Sequence, residues 1–155
     1  MSINKYATMK DVEAATKEFL KLHWNADYMK DVKLPERWGK YDFKGAAPYG
    51  DRQGCYALIA DNDVIYIGLG ASRGWGIYKE HGIGARLSQH VMHWDRSIPA
   101  KIENRVFKPQ TKWNGVSAVY TYGFPSGYGY LACSLESFLI SRLEPRKNVT
   151  KTGSK

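Results

Sequence analysis

Tyr56, Tyr66, Arg86, His90 and Glu136 are the residues whose types and spacing suit chemistry on an anionic substrate. The two phenols sit on either side of Asp61-Asn62-Asp63, a turn sequence between two runs of strand formers, 54–60 and 64–69. Register decides whether they cooperate. With a three-residue turn at 61–63, Ala60 opposes Val64 and Leu58 opposes Tyr66, and Tyr56 lies two residues further along the same face. A two-residue turn at Asn62-Asp63 puts the phenols on opposite faces. Asn and Asp tolerate the left-handed backbone that the longer turn needs, so a shared face is expected.

Arg86 and His90 are four residues apart on an expected helix over 83–94, beside the apolar stripe of Ile83, Leu87, Val91 and Trp94. A guanidinium fork matches phosphate oxygens and never loses its charge. A solvated helix face is the bland alternative for the pair. Glu136 falls between Leu139 and Ile140 on an expected helix over 131–143, with Ala132 and Leu143 adjacent. A carboxylate inside an apolar arc is costly to bury unless it is paired or bound to a cation. Arg142 or Arg86 is the alternative partner.

The elements that must position these residues can be read around them. Thr8, with Asp11 three residues on, opens a helix over about 9–25, whose apolar face is Val12, Thr16, Phe19, Leu20 and His23. Residues 26–53 hold Pro35, Pro48, Gly39, Gly45 and Gly50 and read as an irregular connection. A glycine-rich loop spans 70–82, a polar and basic stretch spans 95–115, and 116–124 alternates as a third strand. Pro145 helps end the last helix. The order helix, β, β, α, β, α gives an α+β domain with a short three-stranded sheet and helices packed against it.

Composition sets the outer limits. The 155 residues suffice for one compact domain with a helical extension, and 43% hydrophobic with 25% charged residues is an ordinary globular mix. Nothing approaches the roughly 20 apolar residues of a membrane span, and residues 1–10 have no signal-peptide core, so the expected location is the cytoplasm. A net charge of +8 and a pI near 9.4 favour polyanions. Cys55 and Cys133 lie in apolar contexts and read as reduced thiols. Gly68-Leu-Gly70-Ala-Ser lacks a glycine at 73 and a βαβ context, which argues against a dinucleotide site. There is no P-loop, and His90 and His93 have no third ligand nearby to complete a zinc set.

Gly54-Cys55-Tyr56, followed ten residues later by Tyr66-Ile67-Gly68, resembles the two-part signature of the GIY-YIG endonucleases, with Cys55 where Ile is usual. A literal Gly76-Ile77-Tyr78 follows the second half instead of preceding it and reads as chance. The family carries an arginine on the next helix, often with a histidine four residues on, and Arg86-Leu-Ser-Gln-His90 fits. The segment 134–140, then Pro145 and Asn148, resembles the family's metal-binding glutamate helix and the asparagine after it. The resemblance covers about 54–148. It departs from compact members in the 18-residue step from Gly68 to Arg86. The extra stretch near 72–82 holds Arg73, Trp75, Tyr78 and Lys79, and some restriction-type members carry a loop here.

The resemblance implies a mainly antiparallel sheet flanked by helices in a nuclease domain over 54–149. Residues 1–53 are then an N-terminal extension and 150–155 a tail. It also implies metal-dependent hydrolysis of phosphodiester bonds, with DNA as the expected partner and RNA as the other possibility. Glu136 is expected to hold Mg²⁺ or Mn²⁺ and Arg86 to stabilise the transition state. Tyr56 is expected to orient water and accept its proton, with its phenol lowered by neighbouring cations. Tyr66 is expected to orient Tyr56 or bind phosphate, and His90 and Asn148 to complete the catalytic set. Arg52, Arg73, Lys79, Arg96, Lys101, Arg105 and Lys112 are expected to follow the nucleic-acid backbone; Trp75, Tyr78 or Trp113 could stack on the bases of a distorted substrate, with structural packing the expected role of each taken singly. The alternatives are a catalytically inactive nucleic-acid-binding module of the same fold and a metal-independent RNA-processing or structural protein.

Overall fold

The computed structural model describes residues 6–74 and 76–148. Helix α1 (Met9–His23) starts as the sequence indicates. The Thr8 N–H donates to the Asp11 carboxylate at 2.8 Å and the Asp11 N–H to Thr8 Oγ1 at 3.4 Å, a reciprocal cap. Six strands follow: β1 (Gly39–Tyr41), β2 (Gly54–Ala60), β3 (Asp63–Gly70), β4 (Met92–Trp94), β5 (Phe107–Pro109) and β6 (Ala118–Gly123). Helix α2 (Gly82–His90) lies between β3 and β4, and α3 (Leu131–Leu143) follows β6. The fold is α+β.

The main sheet has four strands in the order β1-β6-β2-β3, all pairs antiparallel, where three were expected. The additional strand is β1, from the connection read as irregular. Gly39 opposes Thr121 and Tyr41 opposes Val119, so residues before 54 help to build the same sheet. β4 and β5 form a separate two-stranded ribbon.

Both faces of the sheet are covered, and every residue of β2 is buried in consequence. Cys55, Ala57 and Ile59 face a core built with α1 and α3, including Phe19, Leu135 and Leu139. Tyr56, Leu58 and Ala60 face a second core with Ile83 and Leu87 of α2. Strand β3 is one edge of the sheet and β1 the other. The exposed side of β3 is closed by chain segments: the Val64 N–H donates to Ala7 O, and the Lys147 N–H to Ile65 O.

Helix α2 stops at His90 instead of running to 94. The apolar stripe continues through Trp94, but distant side chains take the carbonyls that further helix would need. Trp113 Nε1 donates to His90 O at 2.8 Å, and Gln110 Nε2 donates to Gln89 O at 3.2 Å. The chain then turns into β4, where His93 and Trp94 are weaker helix formers than Met92. Among the described residues, no helix is long and apolar enough to cross a membrane.

Three buried phenols couple this packing to pH. Burial raises Tyr41, Tyr56 and Tyr122 above the ordinary tyrosine value. The neutral form is therefore favoured in the fold. Its contribution is fully present below the unfolded value near 10 and is lost as pH rises towards the higher folded values. Calorimetry should find Tm insensitive to these groups up to about pH 9 and falling above about pH 10. A Tm level through pH 11 would contradict the burial of these three hydroxyls.

Candidate active site

The hairpin of β2 and β3 does place Tyr56 and Tyr66 on one face, by a route the sequence does not reveal. The turn has two residues, Asp61 (φ 51) and Asn62 (φ 67), with Ala60 paired to Asp63. An extra residue, Ile65, then bulges out, because Ile59 pairs with Val64 while Leu58 pairs with Tyr66. The bulge restores the pairing that a longer turn would have given. Tyr56 opposes Gly68.

Gly68 has no side chain because the Tyr56 ring occupies that space. A Cβ on Gly68 would stand 2.1 Å from Tyr56 Cζ and 2.4 Å from its hydroxyl oxygen. The ring thus lies across β3 with its hydroxyl over the edge strand. A second close approach sets α2 against the same strand: a Cβ on Gly82 would meet Gly70 O at 2.3 Å. The start of α2 is thereby held against the end of β3.

Tyr56 is 2% exposed. Burial is the main force raising its phenol, and Tyr66 and Glu136 push the same way. Arg86, within hydrogen-bonding reach, pulls it down. The expectation of a phenol lowered by cations is therefore reversed in the protein alone: Tyr56 keeps its proton at neutral pH. These influences also show which groups converge. Tyr66 from β3, Arg86 from α2 and Glu136 from α3 all act on the Tyr56 hydroxyl of β2.

Glu136 is 5% exposed, among Leu135, Leu139 and Ile140. Arg142 is not its partner, because that guanidinium pairs with Glu18 at 3.0 Å. Arg86 is exposed, and so is His90 one turn further along α2. A cavity of about 520 Å³ opens on α2 against the 72–81 segment, lined by Ser72, Gly74, Gly76, Ile77, His81, Ala85 and Gln89, and none of Tyr56, Tyr66, Arg86, His90 and Glu136 lines it.

Asn148 is buried and its amide is engaged with the backbone of Ile67. Nδ2 donates to Ile67 O and Oδ1 accepts from Ile67 N, both at 2.9 Å. It pins β3 between Tyr66 and Gly68, which is a positioning contact. Trp113 is 5% exposed, with its ring 4.9 Å from that of Tyr66, so it packs the site and is not presented to a base. Trp75 and the side chain of Tyr78 lie outside the described residues.

The basic residues separate into groups. Arg52 turns inward: its guanidinium lies over Tyr49 at 5.2 Å, with Nη1 3.4 Å from Gly123 O. Arg73 and Lys79 are exposed between β3 and α2, and Lys101 between β4 and β5. Lys112 lies over Trp113 at 5.1 Å, and Arg96 and Arg105 both flank Trp94.

Residues 70–74 also spell Gly-x-Ser-x-Gly. Ser72 is exposed, its Oγ accepts from the Gly74 N–H at 3.3 Å, and α2 begins only at Gly82, so this is no strand-to-helix nucleophile elbow. Sequence reasoning missed the parts of Gly68, Gln110 and Trp113. Only Gly68 left a local sign, a glycine inside a strand pattern, which points to close backbone approach. The chain matches no family model, no curated protein and no solved structure.

Proposed function

We propose that this protein is a divalent-cation-dependent endonuclease of the GIY-YIG type that hydrolyses DNA phosphodiester bonds. The observation that carries the reading is the convergence on the Tyr56 hydroxyl of a guanidinium from α2 and a buried carboxylate from α3. Three elements bring together an acid, a permanent cation and a phenol, a set suited to a phosphate ester under attack by water.

The donor chemistry fits Mg²⁺ or Mn²⁺. Glu136 offers hard carboxylate oxygens, and such an ion commonly uses one or two protein carboxylates together with water and substrate phosphate. When bound, the cation supplies positive charge that polarises the phosphate and steadies the leaving oxygen. Arg86 binds a non-bridging oxygen and offsets the charge that grows on it in the transition state. The Tyr56 hydroxyl orients the attacking water, and Tyr66 and Trp113 hold that phenol in line. The water oxygen joins phosphorus as the bond to the 3′ oxygen breaks. The water gives up a proton and the departing oxygen gains one. His90 stands on the face of α2 that can exchange that proton with solvent. The products carry a 5′-phosphate and a 3′-hydroxyl.

Supercoiled plasmid with Mg²⁺ or Mn²⁺ tests this reading. Nicked and linear DNA with 5′-phosphate ends is expected, and EDTA should stop the reaction. Binding without cutting, across both ions and across duplex, branched and single-stranded DNA, would replace it with a non-catalytic module. RNA cleavage that persists in EDTA would replace it with a metal-independent activity.

A further inference from the structure

Trp94, the last residue of β4, has two guanidinium groups over its ring. Arg105 Cζ is 4.0 Å from its ring centroid and Arg96 Cζ is 5.2 Å away. An aromatic ring attracts a cation, but two cations around one ring repel each other unless an anion joins them. The neighbouring acid is committed elsewhere. Asp95 accepts from the Ser97 N–H at 3.1 Å and its hydroxyl at 2.6 Å, and pairs with Lys108 at 3.2 Å. Neither arginine takes part in any ion pair among the described residues. Two buried donors in this cluster also lack an acceptor, Trp94 Nε1–H and Arg105 Nε–H. Buried donors are nearly always satisfied, so these two mark a place for an acceptor oxygen, and the two guanidiniums beside it favour an anionic one.

We propose that the β4–β5 ribbon carries a second anion subsite, which takes a backbone phosphate of a polynucleotide. Arg96 and Arg105 are its donors, and Trp94 is the plate that aligns them. Contact with the indole restricts the rotamers of both guanidiniums and keeps them close to one another. A swing of Arg105 brings its Nε–H to the bound oxygen. That the anion belongs to a polynucleotide rests on the nuclease reading.

The ribbon is tied to the candidate active site at both strands. β4 follows α2, which bears Arg86, after one residue, and the chain leaving β5 runs through Gln110 to Trp113, whose ring packs on Tyr66. A phosphate gripped on the ribbon therefore fixes the register of the strand at Arg86, and substrates must extend beyond the cleaved bond.

The test measures binding in EDTA, where cutting is not required. A short DNA duplex titrated into ¹⁵N-labelled protein should shift the Trp94 indole N–H and the Arg105 Nε–H saturably, with assignments from Trp94→Phe and Arg105→Lys. Arg96→Gln and Arg105→Gln should each lower the slope of log affinity against log salt by about 0.9. Trp94→Leu should weaken binding several-fold with the slope unchanged. Silent Trp94 and Arg105 resonances, shifts with inorganic phosphate but not with DNA, or a double arginine variant with wild-type affinity and slope would each overturn the subsite. The two readings fail separately. Plasmid left uncut by a protein that shows these shifts removes the nuclease reading alone. Plasmid cut by a protein whose ribbon stays silent removes the subsite alone.

Discussion

Glu136→Gln is expected to lower the plasmid-nicking rate about 10³-fold, the loss of about 4 kcal/mol of transition-state stabilisation, and to leave the fold intact. Glutamine keeps the volume and both polar atoms of the side chain, so the apolar packing of Leu135, Leu139 and Ile140 is undisturbed. It takes a charge out of a site that is 5% exposed, where holding a charge is costly, and leaves an amide that can still hydrogen-bond. Tm should stay within about 3 °C of wild type. That combination separates the two explanations of a buried acid. An acid kept for structure gives a variant that unfolds earlier and loses activity only in proportion. An acid kept for a cation gives a stable protein that no longer cuts. Rates should be compared at saturating Mg²⁺ and again over a range of concentrations. A variant that cuts at the wild-type rate ends the assignment of Glu136.

The burial of Glu136 was legible because a helical wheel needs only local spacing. Leu135, Leu139 and Ile140 surround the acid in sequence as they do in space. The shared face of Tyr56 and Tyr66 was legible for a partly mistaken reason: the turn is one residue shorter than expected and the bulge at Ile65 makes up the difference. A bulge is set by how two strands settle against neighbouring layers, and no residue of the hairpin announces it. The end of α2 was illegible because its causes, Gln110 and Trp113, lie far along the chain, while Val91 and Trp94 continue the helical period. Strand β1 is three residues long, too short for an alternation to register, and it exists because β6 offers it an edge. Trp113 illustrates a related limit. Packing is the expected role of each aromatic taken singly, and the indole is indeed buried against Tyr66 while Lys112 reaches solvent, but no local spacing names Tyr66 as the partner.

Gly68→Ala should be one of the most damaging single methyl groups near the candidate site. Its Cβ would stand 2.1 Å from Tyr56 Cζ and 2.5 Å from Cε2, distances no side chain tolerates. The surroundings are rigid: the phenol is enclosed with Leu58, Ile83 and Leu87, so the ring cannot retreat into its core without displacing them. Either β3 lifts away from β2, or Tyr56 swings out of reach of Arg86. Strain of this kind costs about 2–3 kcal/mol, a fall in Tm of roughly 4–12 °C for a domain of this size. Misplacing the phenol should lower nicking at least about 10²-fold. The clash needs both partners, which gives a sharper check than either loss alone. In a Tyr56→Ala background the added methyl meets empty space, and Gly68→Ala should then change Tm by less than about 2 °C. An equal fall in both backgrounds would mean that Gly68 is required for the backbone itself. The ring of Tyr56 would then not be what crosses β3, and its hydroxyl would not stand where the guanidinium and the carboxylate meet.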